Sequence, residues 1–449
     1  MSVDIAFYKK AHKLNEVGRA VRFDIPVPYH HEFYTDFSDV RGEFEEKMLY
    51  RTFDVEHFVF NREANVGNKN ILFLAGTRGS GKTSELAKIA SKLHKKDCFF
   101  CVNCNLEEGV NQSDMEYMDI LIFQIERLCD EMAKINLDMD RGIIEDLQNW
   151  FSQRVKEVNT AIKNENGFEI DVEVKTPSLF HFFQIASKIK SSLSGSKENA
   201  LKIRSVFKNN FTDFAKKFNS FVEGTNMVLR REGVAQEIFF IIDGLEKIAS
   251  KDIRRKIILE DDGYIQQIKV NSIFTLPIEL FSKRNRLETF STVSSFPFIK
   301  IREKDGTLVE KAINRFEEFV YKRIESNLFD SPETVRKAIL LGGGSPRILL
   351  RILNYTYSNT DEDSVKMTEY DLEKAVKKLA AQNSQYISKG DWERLKILKE
   401  ANETGKEVQY DETWQDLFED EIVLEYNDGT YKRVNPIIEA SKLYKQYVG

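Results

Sequence analysis

The sequence predicts an α/β protein built on a parallel sheet, and three observations predict it. Short apolar runs of strand length alternate with longer stretches of helical period. One such run, residues 70–75 (NILFLA), feeds a glycine-rich turn that opens a helix, Gly76-Thr77-Arg78-Gly79-Ser80-Gly81-Lys82-Thr83. Another, residues 237–242, runs straight into Asp243.

The elements follow in order. Residues 1–60 read as an aromatic-rich lead-in with helical and extended pieces. Residues 70–75 form a short buried strand, 82–95 (KTSELAKIASKLHK) a helix, and 98–104 (CFFCVNC) a second strand. Residues 114–135 place Met118, Ile120, Leu121, Ile125, Leu128 and Met132 on a helical period. About 136–235 is mostly helical and interrupts the strand series. Strands resume at 237–242, 271–276 and 294–301. The remainder is helical until 421–435, where two strand-like runs flank Asn427-Asp428-Gly429, a strong hairpin signal. These readings divide the chain into a lead-in over 1–60, an α/β core over 61–310 with its helical insertion, a helical region over 311–388, and a terminal module over 389–449.

Composition bounds the class. A chain of 449 residues has room for two to four domains. With 41% hydrophobic and 31% charged residues and a net charge of -6, nothing draws the chain as a whole toward nucleic acid or an anionic membrane. No apolar run approaches the roughly 18 residues of a membrane span. The opening MSVDIAFYKKAHKL carries Asp4 and lacks an apolar core, so no signal peptide is expected. Four cysteines are too few for a disulfide framework and fit a reducing, cytoplasmic setting.

The turn from Gly76 to Thr83 satisfies G-x-x-x-x-G-K-[ST] at every required position, between a strand and a helix. Its glycines let the backbone curl so that N–H groups of Gly76, Thr77, Arg78, Gly79, Ser80 and Gly81 surround phosphate oxygens, with the positive end of the helix behind them. Lys82 faces the β- and γ-phosphates, and Thr83 offers its hydroxyl to Mg²⁺. The guanine-reading N-K-x-D pattern is absent at Asn68-Lys69, which favours ATP. Asp243, ending an apolar strand, suits a second oxygen ligand for Mg²⁺, often through water. Glu246, three residues on, is the candidate that orients the attacking water; its plainer alternative is a solvated acid at a helix start.

With these motifs the chain resembles P-loop ATPases of the AAA+ and STAND group. Their apolar strand followed by D-G-L-D-E appears as Asp243-Gly244-Leu245-Glu246-Lys247, with Lys247 where the group has an acid. That departure implies slow hydrolysis. Asn271-Ser272-Ile273-Phe274-Thr275 resembles the strand that ends in a polar sensor, here Thr275. Gly342-Gly343-Gly344-Ser345-Pro346-Arg347 resembles the lid element whose arginine reaches the γ-phosphate, and its local chemistry agrees: Ser345 caps a helix, Pro346 takes its first position, and Arg347 projects from the first turn. The resemblance implies a P-loop NTPase sheet with helical insertion, helical lid and C-terminal winged helix, and it covers about residues 40–449 apart from the insertion. It further implies a homo-oligomer and a slow ATP-driven switch acting on a separately encoded effector, a layout often found in bacterial anti-phage defence.

Two other classes compete. A DNA-acting remodeller would use residues 186–217, which hold eight Lys/Arg against two acids. The terminal module is a poorer candidate, with 14 acids against 8 bases over residues 391–449. A scaffold that binds nucleotide without turnover is the third reading. Cys98, Cys101 and Cys104 suggest a metal cluster, but steps of three along a strand alternate between faces and no fourth cysteine has the spacing, so core residues are expected. His30-His31 has no ligand set around it. Arg284 and Arg286 read as loop arginines, one of which could serve a neighbouring subunit.

Overall fold

The computed structural model describes residues 8–42, 44–64, 69–137, 139, 141–162, 170 and 178–449. Asp4, Asn68 and residues 163–169 and 171–177 of the insertion lie outside the described residues.

The protein is α/β, with a central five-stranded sheet. The strands are β1 (Ile71–Ala75), β2 (Phe99–Asn105), β3 (Glu237–Asp243), β4 (Asn271–Leu276) and β5 (Thr292–Ser295), in the order β2-β3-β4-β1-β5. β2 and β3 run parallel with Phe99 opposite Glu237, and β3 and β4 run parallel with Phe239 opposite Asn271. β1, β3 and β4 are buried along their whole length, which is why their apolar residues run consecutively instead of alternating.

The chain divides into two compact units, which cut across the boundaries expected from sequence. One comprises Lys47–Leu74 and Ile89–Val293, so it holds the sheet except for Ala75 and the last two residues of β5. The expected helix near 114–135 is Tyr117–Lys134, begun by Glu116, whose side chain and that of Asp119 cap each other's backbone. The insertion is helical as expected, with helices Arg141–Ile162, Leu179–Leu193, Lys197–Asn209 and Phe211–Arg231. Rings of Trp150, Phe151, Phe182, Phe207 and Phe214 meet edge-on or tilted at its centre.

The other unit comprises the described residues up to Glu46, then Ala75–Lys88 and Ser294–Gly449. Its helices Glu310–Tyr321, Pro332–Leu341, Pro346–Ser358 and Glu369–Ser384 share one apolar core with Ala11, Phe33 and Phe37 of the lead-in and Leu424 and Tyr426 of the terminal module. The lead-in is therefore part of this core. Its backbone joins in as well: Ala11 N–H donates to Arg323 O at 2.8 Å, and Glu325 N–H donates to Ala11 O at 3.0 Å.

The strand expected over 294–301 is shorter than its sequence suggests. After Ser295 the amides bond three separate pieces of chain: Phe296 N–H to Ala75 O (2.6 Å), Phe298 N–H to Glu425 O (3.0 Å) and Ile299 N–H to Gly344 O (3.2 Å). An apolar run predicts burial; it does not distinguish one ladder from three partners. The terminal module contains helices Lys389–Thr404 and Gln415–Glu419 and the expected hairpin, β6 (Val423–Tyr426) and β7 (Tyr431–Val434), antiparallel with Val423 opposite Val434. Before the hairpin, a 3₁₀ turn Glu412–Trp414 runs straight into Gln415–Glu419.

Candidate functional site

β1 ends at Ala75, and the glycine-rich turn opens directly into helix Lys82–Leu93. Gly79 has φ +81°, and a Cβ there would lie 3.0 Å from Arg347 Cδ and 3.0 Å from Glu421 Oε1. The turn thus needs glycine both for its conformation and for the side chains pressed against it. Lys82 is buried at 3% exposure, and its Nζ donates to Gly76 O at 2.6 Å and Thr77 O at 2.9 Å. Its ammonium therefore lies back across the turn, where it meets whatever the turn holds. Thr77 and Ser80 are buried, Arg78 is exposed, and Thr83 is half-buried in the first helical turn.

Arg347 comes to this turn by a mechanism the local sequence foretold in part. Ser345 caps helix Pro346–Ser358, its Oγ accepting from Ile348 N–H at 3.2 Å, with Pro346 at the start. The same hydroxyl donates to Gly79 O at 3.3 Å, which ties the helix start to the turn. Gly344 makes this approach possible: at φ +81°, a Cβ would sit 1.7 Å from Ile299 O. Beside the turn lies a cavity of about 420 Å³ lined by Arg78, Arg347, Arg351, Tyr386 and Glu421. Burial pushes the Glu421 carboxyl up to about 7, against the pull of Arg347, Arg351, Arg78 and Lys82.

Three residues in contact with the turn or its helix escaped sequence reasoning. Glu421 is one. Lys88 is fully buried in the helix after the turn and bonds Glu85 at 2.8 Å, Asp36 at 3.1 Å and Glu46. Burial pulls its ammonium down, and these carboxylates outweigh that and hold it above the ordinary lysine range. Arg41 is the third: its Nη1 donates to Ser80 O at 2.9 Å and to Pro297 O at 2.8 Å. Arg41 and two of Lys88's partners, Asp36 and Glu46, come from the lead-in, whose sequence carries no periodic signal.

In the unit that holds the sheet, Asp243 closes β3 and is buried. Gly244 follows at φ +107°, and Leu245–Lys247 make a 3₁₀ turn that buries Glu246. Thr275, the last but one residue of β4, accepts from Gly244 N–H at 3.0 Å and Leu245 N–H at 3.2 Å through Oγ1. Its fixed task is thus to shape the exit from β3. Lys247 bonds Glu107 at 2.6 Å. Burial pulls its ammonium down, and Asp243, Glu107 and Glu246 together raise it above its ordinary value. The structure brings Asp243, Glu246, Lys247 and Thr275 together around one turn.

The remaining candidates have structural roles. Cys98, Cys101 and Cys104 are buried, and burial pushes each thiol up, Cys98 to about 12. Arg286 bonds Asp262 at 3.0 Å, and Arg284 lies over the Phe281 ring at 5.3 Å. In the basic stretch, Arg204 is buried against Asp119 (2.6 Å) and Asp114 (3.0 Å). Lys190 pairs with Glu126, Lys202 with Glu198 (3.6 Å), Lys208 with Glu116 (2.6 Å) and Lys217 with Asp146 (3.1 Å). In the hairpin, Lys432 meets Glu425 at 3.4 Å and Arg433 meets Glu439 at 3.4 Å. Among the described residues no helix is long and apolar enough to cross a membrane.

No family model matches the chain, and no curated protein sequence matches it. Among solved structures, the crystal structure of Cdc6p from Pyrobaculum aerophilum is similar over 94% of this chain and 98% of that one, at 12% identity and a TM-score of 0.34. A likeness at that score carries no argument, and the functional reading rests on the geometry of the turn and its neighbours.

Proposed function

We propose that the chain binds ATP with Mg²⁺ and hydrolyses it slowly, as a switch of the AAA+ and STAND kind. The observation that carries this reading is the complete turn from Gly76 to Thr83, between strand and helix, with the Lys82 ammonium laid across it. A triphosphate would supply the negative charge and acceptor oxygens that the turn's N–H groups and Lys82 are suited to bind. Thr83 and Asp243 would give oxygen to Mg²⁺, and Glu246 would orient water. Arg347 would bind the γ-phosphate and Thr275 would hold the turn that carries Glu246. Lys247 supports slow turnover, because a cation beside Glu246 stabilises its carboxylate and weakens it as a base.

In this reading the nucleotide acts through Arg347. A γ-phosphate bound by a first-turn arginine favours one orientation of helix Pro346–Ser358, so ATP and ADP stabilise different states. Output through self-assembly and a separately encoded effector follows from the same resemblance. A nucleic-acid output is less favoured, because the cations of 186–217 and of the hairpin are largely matched by nearby carboxylates.

Calorimetry with ATP and Mg²⁺ tests the proposal. The wild-type chain should bind, and Lys82→Ala should lose at least about tenfold in affinity, since one charge-assisted contact contributes roughly 1.5–3 kcal/mol. Equal affinity in the two proteins would defeat the assignment.

A further inference from the structure

Arg41, unlike the equally buried Arg323 of its unit, donates to the glycine-rich turn. It is 3% exposed, yet it carries no ion pair among the described residues. Its Nη1 is shared between two carbonyls, Ser80 O and Pro297 O, and its guanidinium lies 4.0 Å over the Phe296 ring. Nε is buried without a hydrogen-bond partner. The carboxylates that act on it through space, Glu85 and Asp36, are each bound to Lys88. Such a burial is costly for a cation and calls for an explanation beyond packing.

The Ser80 carbonyl gives one. A trans peptide is planar, so its C=O and N–H point in opposite directions. The peptide that contributes the Ser80 carbonyl contributes the Gly81 N–H. By holding that carbonyl on one side, Arg41 turns the Gly81 N–H to the other, away from the guanidinium. Pro297 O, held by the same Nη1, fixes the guanidinium itself, and the Phe296 face keeps it from rotating. Gly81 itself has φ +98°, and a Cβ there would stand in ordinary contact with Nη2, at 3.5 Å.

We propose that Arg41 is a positioning residue for the phosphate site, orienting the Ser80–Gly81 peptide so that the Gly81 N–H is presented to a bound triphosphate. The inference rests on the nucleotide reading and adds a residue to it from a segment 39 residues upstream of the turn. The ligand it serves is the phosphate chain, not the base. Arg41 therefore affects ATP and inorganic triphosphate alike. It acts on binding and leaves the chemical step alone.

The experiment uses the full chain with Arg41→Lys and Arg41→Ala, each checked for native melting before use. Lysine keeps the charge and most of the apolar stem and so favours folding, but it lacks the planar guanidinium that lies on the Phe296 face and so sets where Nη1 meets the two carbonyls. Affinity for ATP and for inorganic triphosphate is measured by calorimetry, with turnover at saturating ATP. The expected result is a loss of about 10- to 100-fold for Arg41→Ala and about fivefold or more for Arg41→Lys, equal for both ligands. KM should rise in step while kcat stays within about twofold. A folded Arg41→Lys that binds both ligands within twofold of wild type overturns the inference, whether or not Arg41→Ala folds. So does a loss confined to kcat. A wild-type chain that binds neither ligand defeats the nucleotide reading itself, which separates the two failures.

Discussion

The glycine-rich turn with its neighbours and the stretch 186–217 are both rich in cations, and they differ in what the fold does with the charge. Around the turn, Arg41, Arg78 and Arg347 carry no ion pair among the described residues. In the stretch, at least five of the eight cations are bound to carboxylates among the described residues, and Arg204 is buried against two of them. A count of Lys and Arg cannot tell these regions apart. The difference lies in whether a cation's counter-charge comes from the chain or must come from a ligand. Paired cations hold helices together; unmatched ones are available to an anion.

The sharpest way to break the comparison is to remove one cation from each region. Arg204→Ala leaves Asp119 and Asp114 without their partner in a buried site, so it should cost about 3–5 kcal/mol of stability in denaturant unfolding. Its ATP affinity, measured where the variant is folded, should equal that of wild type. Arg347→Ala should do the reverse. Stability should change by less than about 1 kcal/mol, while ATP affinity falls about 10- to 100-fold, the effect of one charge-assisted contact. Equal effects on stability and affinity in the two variants would erase the distinction.

A smaller effect sharpens the account at the cavity beside the turn. The Glu421 carboxyl is pushed up to about 7, above its value in an unfolded chain. A group raised on folding contributes stability that is full below the unfolded value of about 4.3 and is lost as pH rises through about 7. Wild-type stability should therefore fall between pH 5 and pH 8 relative to Glu421→Gln, which lacks this titration. Parallel pH profiles of the two proteins, from thermal melts, would remove Glu421 from the electrostatics of the site.

What could be read in the sequence was local. The turn, its flanking strand and helix, the strand ending at Asp243, and the Ser345-Pro346-Arg347 helix start are each written in a few consecutive residues, because backbone geometry there depends on near neighbours. The hairpin at Asn427-Asp428-Gly429 is of the same kind. What could not be read depends on partners far along the chain. Arg41 meets a carbonyl 39 residues ahead and another 256 ahead. Arg204 meets acids 85 and 90 residues behind it. The over-long strand at 294–301 failed for the same reason, since Phe296, Phe298 and Ile299 bond three distant segments. No periodicity records such pairings, and so a count of Lys and Arg over 186–217 misses the carboxylates that meet several of them.

The most direct test of the central claim is amide hydrogen exchange of the full chain with and without Mg²⁺ and ATP, at a nucleotide concentration well above its Kd. Unmatched cations around the turn should translate into slowed exchange over residues 76–83, with smaller protection at 38–42 and 345–349, and no change over 186–217. Protection that appears over 186–217 and is absent from 76–83 would contradict the account, because the anion would then have chosen the region whose charge the fold has already matched.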